Sequence, residues 1–441
     1  MPPFPFSTSF MFDFELTRLL GSASSSGCEI GEFKSGVGAL RKHDPESWHT
    51  AWLSQAERAL GIAHEAACAG YRVPARNAFL RASNYLRAAG YMFGNDDARV
   101  LPLAERSVAA FGRAAGLMEG MVRFVEVPFE DGVVLTGWLC LPAEGARLEG
   151  GTPVVVYAGG ADATKEELWF LYGHTGPLLG YAVLCLEGPG QGMLLKRDRI
   201  PLRPDFEVVA GCVLDYLGEF SKERPECGLD MEKVAVAGAA TGGYFALRAA
   251  TDKRIKACVA VDPFFSMWEL AMSRAPERFM RLWDSGWIPD SGLDTLVDAH
   301  CRSNFQAGWE MSLGKSSMGC DRPSAMLRRF KDFSLDSGIN NNNNNNKGKI
   351  LDRVTCPVFL TGPGAETVMY SSADESTMKI DRLLVNVPAG KKEVWVPKAV
   401  EEGGLTAKIG AWALLAQKTF IFLDKHFEIR RPDLGEYSQK R

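Results

Sequence analysis

Residues Val234–Ala249 read VAVAGAATGGYFALRA, and this stretch decides the fold. An apolar run ends at Gly238, a glycine-rich turn follows, and a helix starts at about Gly242. A sharp turn from strand to helix is the setting of the G-x-S-x-G nucleophile elbow, where glycines stand because side chains would strike the neighbouring strand and helix. The five residues here are Gly238-Ala239-Ala240-Thr241-Gly242. The glycines are in place, but the central position is Ala240, which has no heteroatom to act as a nucleophile.

Working outward, short and nearly continuous apolar runs recur at 153–158, 181–186, 233–238 and 257–261, each followed by a helix-like stretch. Strands apolar on both faces, alternating with helices, predict a parallel sheet covered on both sides. Two further strands are expected at 357–362 and 393–397, and a last amphipathic helix from about 407 to 427. Before the sheet, 122–129 and 133–139 alternate about Gly132 and read as a hairpin. Residues 1–120 read as an N-terminal helical domain, with helical spacing over 47–60 and a break at Tyr71-Arg72-Val73-Pro74. The α/β core spans 121–262 and 351–441. Residues 263–350 form an inserted helical lid with helices expected at 267–275, 293–300 and 325–333. The lid ends in seven asparagines, Asn340–Asn346, which read as a solvated loop.

The chain's 441 residues suit such an α/β domain with an appendage. Fifty basic and 54 acidic residues give a net charge of −4, which excludes a strongly basic nucleic-acid binder. The ten cysteines form no CxxC pair, so a zinc or iron–sulfur site is not expected. Several fall in strand-like runs, as buried thiols of a reducing compartment do. No secretory signal and no run of 18 apolar residues is present, so the expectation is a cytoplasmic protein that does not enter a membrane.

Two more glycine-rich loops follow consecutive strands: Gly159-Gly160-Ala161-Asp162 and Glu187-Gly188-Pro189-Gly190-Gln191-Gly192. In an α/β hydrolase the first supplies one oxyanion-hole N–H, from Gly160 or Ala161, and the residue after the nucleophile, Thr241, supplies the other. GGADATKEE (159–167), EGPGQG (187–192), GAATGGYFALRAA (238–250) and EEGGLTAKIGA (401–411) together resemble one branch of the α/β hydrolases. That branch carries an N-terminal helical domain and includes 2,6-dihydropseudooxynicotine hydrolase and fungal polyketide-pathway hydrolases of the yellowish-green pigment and fusarin types. The resemblance implies a Ser–Asp–His triad cleaving C–C or ester-like bonds. This sequence departs from the pattern at each triad position. Ala240 fills the serine slot, Glu366 is the nearest acid after the strand at 357–362, and the histidine slot falls at about Thr406.

The remaining ionisable groups leave alternatives open. Asp162, Lys165, Glu166 and Glu167 read as capping or solvated charges or as a base, and His174 as a packed or catalytic histidine. Asp262 follows a parallel strand at the ligand end of the sheet, and His300 lies in the lid; either is a candidate replacement base. Trp268, Trp283, Trp287 and Trp309 suggest a lid core, a pocket wall, or both. Three functions follow. The first is an enzyme of fungal-type polyketide metabolism, without the triad, that promotes a condensation or cyclisation of a dicarbonyl. The second is a hydrolase with rebuilt residues, and the third a binding or scaffold protein. The expected partner is a small, apolar, polyketide-like molecule; no cofactor is expected, and a homodimer is the one self-association considered.

Overall fold

The computed structural model describes residues 6–7, 9–336, 349–364 and 373–433. Eight strands form one sheet: β1 (Val122–Pro128), β2 (Val134–Cys140), β3 (Thr152–Ala158), β4 (Ala182–Glu187), β5 (Leu229–Ala239), β6 (Ile255–Val261), β7 (Val358–Thr361) and β8 (Lys392–Trp395). Their spatial order is β1-β2-β4-β3-β5-β6-β7-β8. The first two strands make the expected antiparallel hairpin, with Val122 opposite Cys140 and Pro128 opposite Val134. Gly132 turns the chain there at φ +76°. From β4 to β8 all neighbours are parallel, which gives the α/β-hydrolase fold.

The apolar runs are explained by burial on both faces. Every residue of β3 and β4 is buried. Successive side chains of a strand point to opposite faces. Val154, Val156, Ala182, Leu184 and Leu186 therefore pack into one core, and Val155, Tyr157, Val183 and Cys185 into another. A third core belongs to the N-terminal helices, where Trp48, Trp52 and Tyr85 are fully buried between the long helices Pro45–Cys68 and Arg72–Tyr91. The Phe-rich start contributes the helix Phe10–Gly21, whose Phe12 and Leu16 complete that core.

After β6 come helices Met267–Met272, Glu277–Asp284, Asp290–Ser303, Phe305–Met318 and Pro323–Arg329. The second and fourth of these are helices that the sequence spacing does not predict. The last helix also begins later than its spacing predicts. That helix runs Trp412–His426, because Ala407 and Lys408 sit at φ +54° and +55° in a tight turn that no helix can contain. The asparagine run lies outside the described residues. No described helix is long and apolar enough to cross a membrane, and none of the ten cysteines forms a disulfide.

Candidate active site

Strand β5 delivers Ala240 to the ligand end of the sheet in a conformation costly for any residue with a Cβ, φ +52° and ψ −114°. Its N–H donates to the Val261 carbonyl (2.9 Å), and its carbonyl accepts from the Gly243 and Tyr244 amides (2.9 and 3.2 Å). A Cβ on Gly238 would collide with the Gly242 carbonyl, and one on Gly242 with the carbonyls of Ala158 and Gly159. Both glycines are therefore required by the close approach of helix Thr241–Ala249 to β3 and β5. Tyr244 packs beneath the elbow, fully buried, and donates to the Pro204 carbonyl (2.9 Å).

The loop after β3 is clamped from the loop after β4. Gln191 Nε2 donates to the carbonyls of Gly159 (2.6 Å) and Gly160 (3.0 Å), while its Oε1 accepts from the Gly188 amide (2.7 Å). A Cβ on Gly160 would lie 3.7 Å from the Ala239 carbonyl, so this loop touches the elbow. Ala161 and Thr241 both border the main cavity. Among the described residues neither backbone N–H donates to an acceptor.

The charges after this loop are engaged elsewhere. Asp162 accepts from Arg18 (2.6 Å) and from the Tyr91 hydroxyl (2.8 Å). Burial pushes its carboxyl up, but Arg18 and these hydrogen bonds outweigh burial and hold its pKa at about 2. Glu167 pairs with Arg18. Lys165 Nζ lies 3.0 Å from Glu187 and 3.1 Å from Glu166, all three buried. Together they bind the N-terminal helices to the sheet. His174 packs edge-on against Trp169 (5.1 Å between centroids), and burial lowers its pKa.

A cavity of about 670 Å³ opens at the elbow, bordered by Ala161, Ala240, Thr241 and Asp262 and roofed by the lid. Pockets of this size hold whole small molecules. Met267, Met280, Met311, Met318 and Met326 line it, side chains that adapt to irregular apolar shapes. His300 borders it from helix Asp290–Ser303. Of the four lid tryptophans only Trp309 lines it, donating through Nε1 to the Tyr91 carbonyl (2.7 Å). Trp268 and Trp283 pack on each other at 6.0 Å, and Trp287 is exposed.

Asp262 is part of a buried lock that the sequence did not reveal. It stands at φ +48° just after β6. Its Oδ1 accepts from the Thr361 hydroxyl (2.7 Å) and pairs with Lys408 Nζ (2.8 Å); its Oδ2 accepts from the Ala407 amide (2.7 Å). Lys408 also donates to the Gly362 carbonyl (2.6 Å). The two side chains are 1% and 0% exposed. Burial pushes the Lys408 ammonium below the ordinary lysine value, against the pull of Asp262. The lock ties the ends of β6 and β7 to the turn before the last helix. Thr406 itself is buried in that turn, but it is Ala407 and Lys408 that reach Asp262. No histidine–carboxylate pair occurs among the described residues. Glu366 lies outside the described residues. Lys408, Thr361 and Gln191 left no readable signal, since a lone lysine in a loop normally reads as solvated.

Residues 46–280 match the family described as FrsA-like esterases. The chain belongs to that FrsA-like family. Among its relatives, the alpha/beta hydrolase gkaG of Penicillium citrinum is 71% identical over 98% of this chain and 100% of its own length. The alpha/beta hydrolase pydG of an Acremonium species is 65% identical over 98% of this chain and 100% of its own. This FrsA-like chain also shares its fold with the solved 2,6-dihydroxy-pseudo-oxynicotine hydrolase, at TM-score 0.65 and 18% identity over 92% of this chain and 95% of that one.

Proposed function

We propose that this FrsA-like protein is an enzyme of fungal-type polyketide metabolism that holds an enolisable dicarbonyl and promotes its condensation or cyclisation without hydrolysis. The observation that carries the reading is the meeting of an open apolar cavity with Ala240 and the unpaired amides of Thr241 and Ala161. With alanine in the slot, the Ser–His route to an acyl-enzyme has no oxygen to start from. Amide donors fixed at the wall of an apolar cavity still favour negative charge on a bound oxygen, about 3 kcal/mol per donor for an oxyanion. An enolate or an aldol alkoxide carries its charge on such an oxygen. The open cavity speaks against a purely structural role, since a scaffold has no need of 670 Å³ of unfilled space beside an elbow.

A second reading, water attack by a rebuilt hydrolase, is favoured by the relatives' printed names and by Asp262 and His300 bordering one cavity. It ranks second because Asp262 already accepts from Thr361, Lys408 and Ala407. Incubation with linear polyketide or polyketide–amide aldehydes, followed by mass spectrometry, separates the two. Condensation predicts a product lighter by one water, and cyclisation by aldol addition alone an isomer of new retention time and unchanged mass; hydrolysis predicts one heavier by one water or cleaved fragments.

A further inference from the structure

A second, smaller chamber of about 60 Å³ lies behind the oxyanion loop, between the N-terminal helices and the helix Gly192–Lys196. It shares Ala161, Trp309 and Leu313 with the main cavity, so the two spaces adjoin along one wall. Arg87, Tyr91, Asp162, Glu166, Glu187 and Lys196 contribute its polar lining.

Three lysines are drawn into the interior near the oxyanion loop and the Asp262 lock, and they differ in one respect. Lys165 and Lys408 are fully buried, and each is paired with carboxylates, Glu166 and Glu187 for the first and Asp262 for the second. Lys196 is partly buried, and its Nζ makes no hydrogen bond or ion pair among the described residues. The carboxylates beside it are already committed. Glu187 accepts from the Lys165 amide (3.1 Å), Lys165 Nζ (3.0 Å), the Met193 amide (3.3 Å) and the Thr136 hydroxyl (3.3 Å). Glu166 accepts from Trp138 Nε1 (2.9 Å), and Asp162 from Arg18 and Tyr91. Burial therefore pushes the Lys196 pKa down; Glu187 and Asp162 pull it up by less, and Arg87 and Lys165 lower it further. An amine on the chamber wall without a counter-ion is a group that can add to a carbonyl carbon.

We propose that the chamber is an aldehyde-binding site in which Lys196 captures the carbonyl as a protonated imine. The Nζ lone pair forms the C–N bond as the carbonyl π bond breaks. A nitrogen proton moves to the oxygen, giving a carbinolamine. With one further proton from solvent the C–O bond breaks and water leaves, so amine, aldehyde and proton yield iminium and water. No oxidant or reductant is needed. The chamber has room for a short aldehyde only. The proposal goes beyond the reaction placed at Ala240 and does not depend on it, because a dicarbonyl can bind at Thr241 whether or not Lys196 takes an aldehyde.

The test is reductive trapping of the full-length chain with propanal and sodium cyanoborohydride at pH 7, followed by peptide mapping. A lysine whose pKa is lowered by burial has more free amine at pH 7 than an exposed one. Lys196 is therefore expected to gain a single propyl group faster than exposed lysines such as Lys222, whose ammonium is paired with Glu219. Lys196→Arg should lose that adduct while labelling elsewhere, and the circular dichroism, stay unchanged. The proposal is overturned if Lys196 reacts no faster than Lys222, or if the fast site is Lys165 or Lys408. The wild-type map decides this by itself, even if the variant does not fold.

Discussion

Replacing Lys408 by methionine removes the cation of the buried lock while keeping the length of the side chain. The Asp262 carboxylate, 1% exposed, is then left inside the protein with only the Thr361 hydroxyl and the Ala407 amide as donors, and the Gly362 carbonyl loses its partner. Breaking a buried pair by removing one member costs about 3–5 kcal/mol, because the other charge stays buried without compensation. Two donors remain on Asp262, so the expected loss lies at the lower end, about 3 kcal/mol. Removing both charges, in Asp262→Asn with Lys408→Met, should restore most of it, since the amide oxygen can accept from Ala407 while the amide NH2 donates to the Thr361 hydroxyl. Urea unfolding at pH 7, followed by far-ultraviolet circular dichroism, reads the transition of the sheet domain in all three proteins. A cost below about 1 kcal/mol for the single variant, or a double variant no more stable than the single one, would refute the argument that an uncompensated charge is what Lys408 prevents.

Other expectations concern the elbow and the domain junction. A fluorophosphonate should not label the protein, and Ala240→Ser alone should not make an esterase, because the group paired with Asp262 is a lysine; Ala240→Ser with Lys408→His is the combination that gains slow p-nitrophenyl ester turnover, general-base help contributing about 10²–10⁴-fold. Brisk hydrolysis by the single variant would show that His300 or another base serves the site. Asp162→Asn should cost about 2 kcal/mol at pH 7, since the folded carboxyl titrates at about 2 against a reference of 3.8. A folded pKa below the unfolded one gives stability that is complete above 3.8 and lost as pH falls towards 2. The gap between wild type and variant should therefore be flat from pH 7 to about 5 and close on further acidification; a gap that persists unchanged at pH 3 would contradict the assignment.

The sheet and the elbow were legible because their causes are local. Val154–Ala158 and Ala182–Leu186 are apolar at every position, which only strands covered on both faces require, and Gly238 and Gly242 mark a turn no larger residue allows. The place of the loop after β3, and of Asp262 and His300, beside the cavity followed from the same topology. The lock and the clamps were not legible because they join residues far apart in the chain. Lys408 meets an aspartate 146 positions earlier, and Asp162 meets Arg18 across 144. The turn at Ala407 and Lys408 was read as helix because nothing in LTAKIGA shows that two non-glycine residues there adopt positive φ. The helix Phe305–Met318 escaped because its apolar residues, Phe305, Trp309, Met311 and Leu313, do not fall on one stripe.

The proposed function requires the site to stabilise an oxyanion at the Thr241 and Ala161 amides. Ultraviolet titration of a β-diketone bound to the protein tests it most directly. Transfer into an apolar cavity by itself raises the pKa of the diketone, because burial disfavours its anion. Two fixed amide donors oppose this by about 3 kcal/mol each, and 1.36 kcal/mol corresponds to one pKa unit, so the donors win. The expected bound pKa is at least about one unit below that in water, with most of the shift abolished by Thr241→Pro, which removes one N–H. A bound pKa equal to or above that in water, or a shift unchanged in Thr241→Pro, would contradict it.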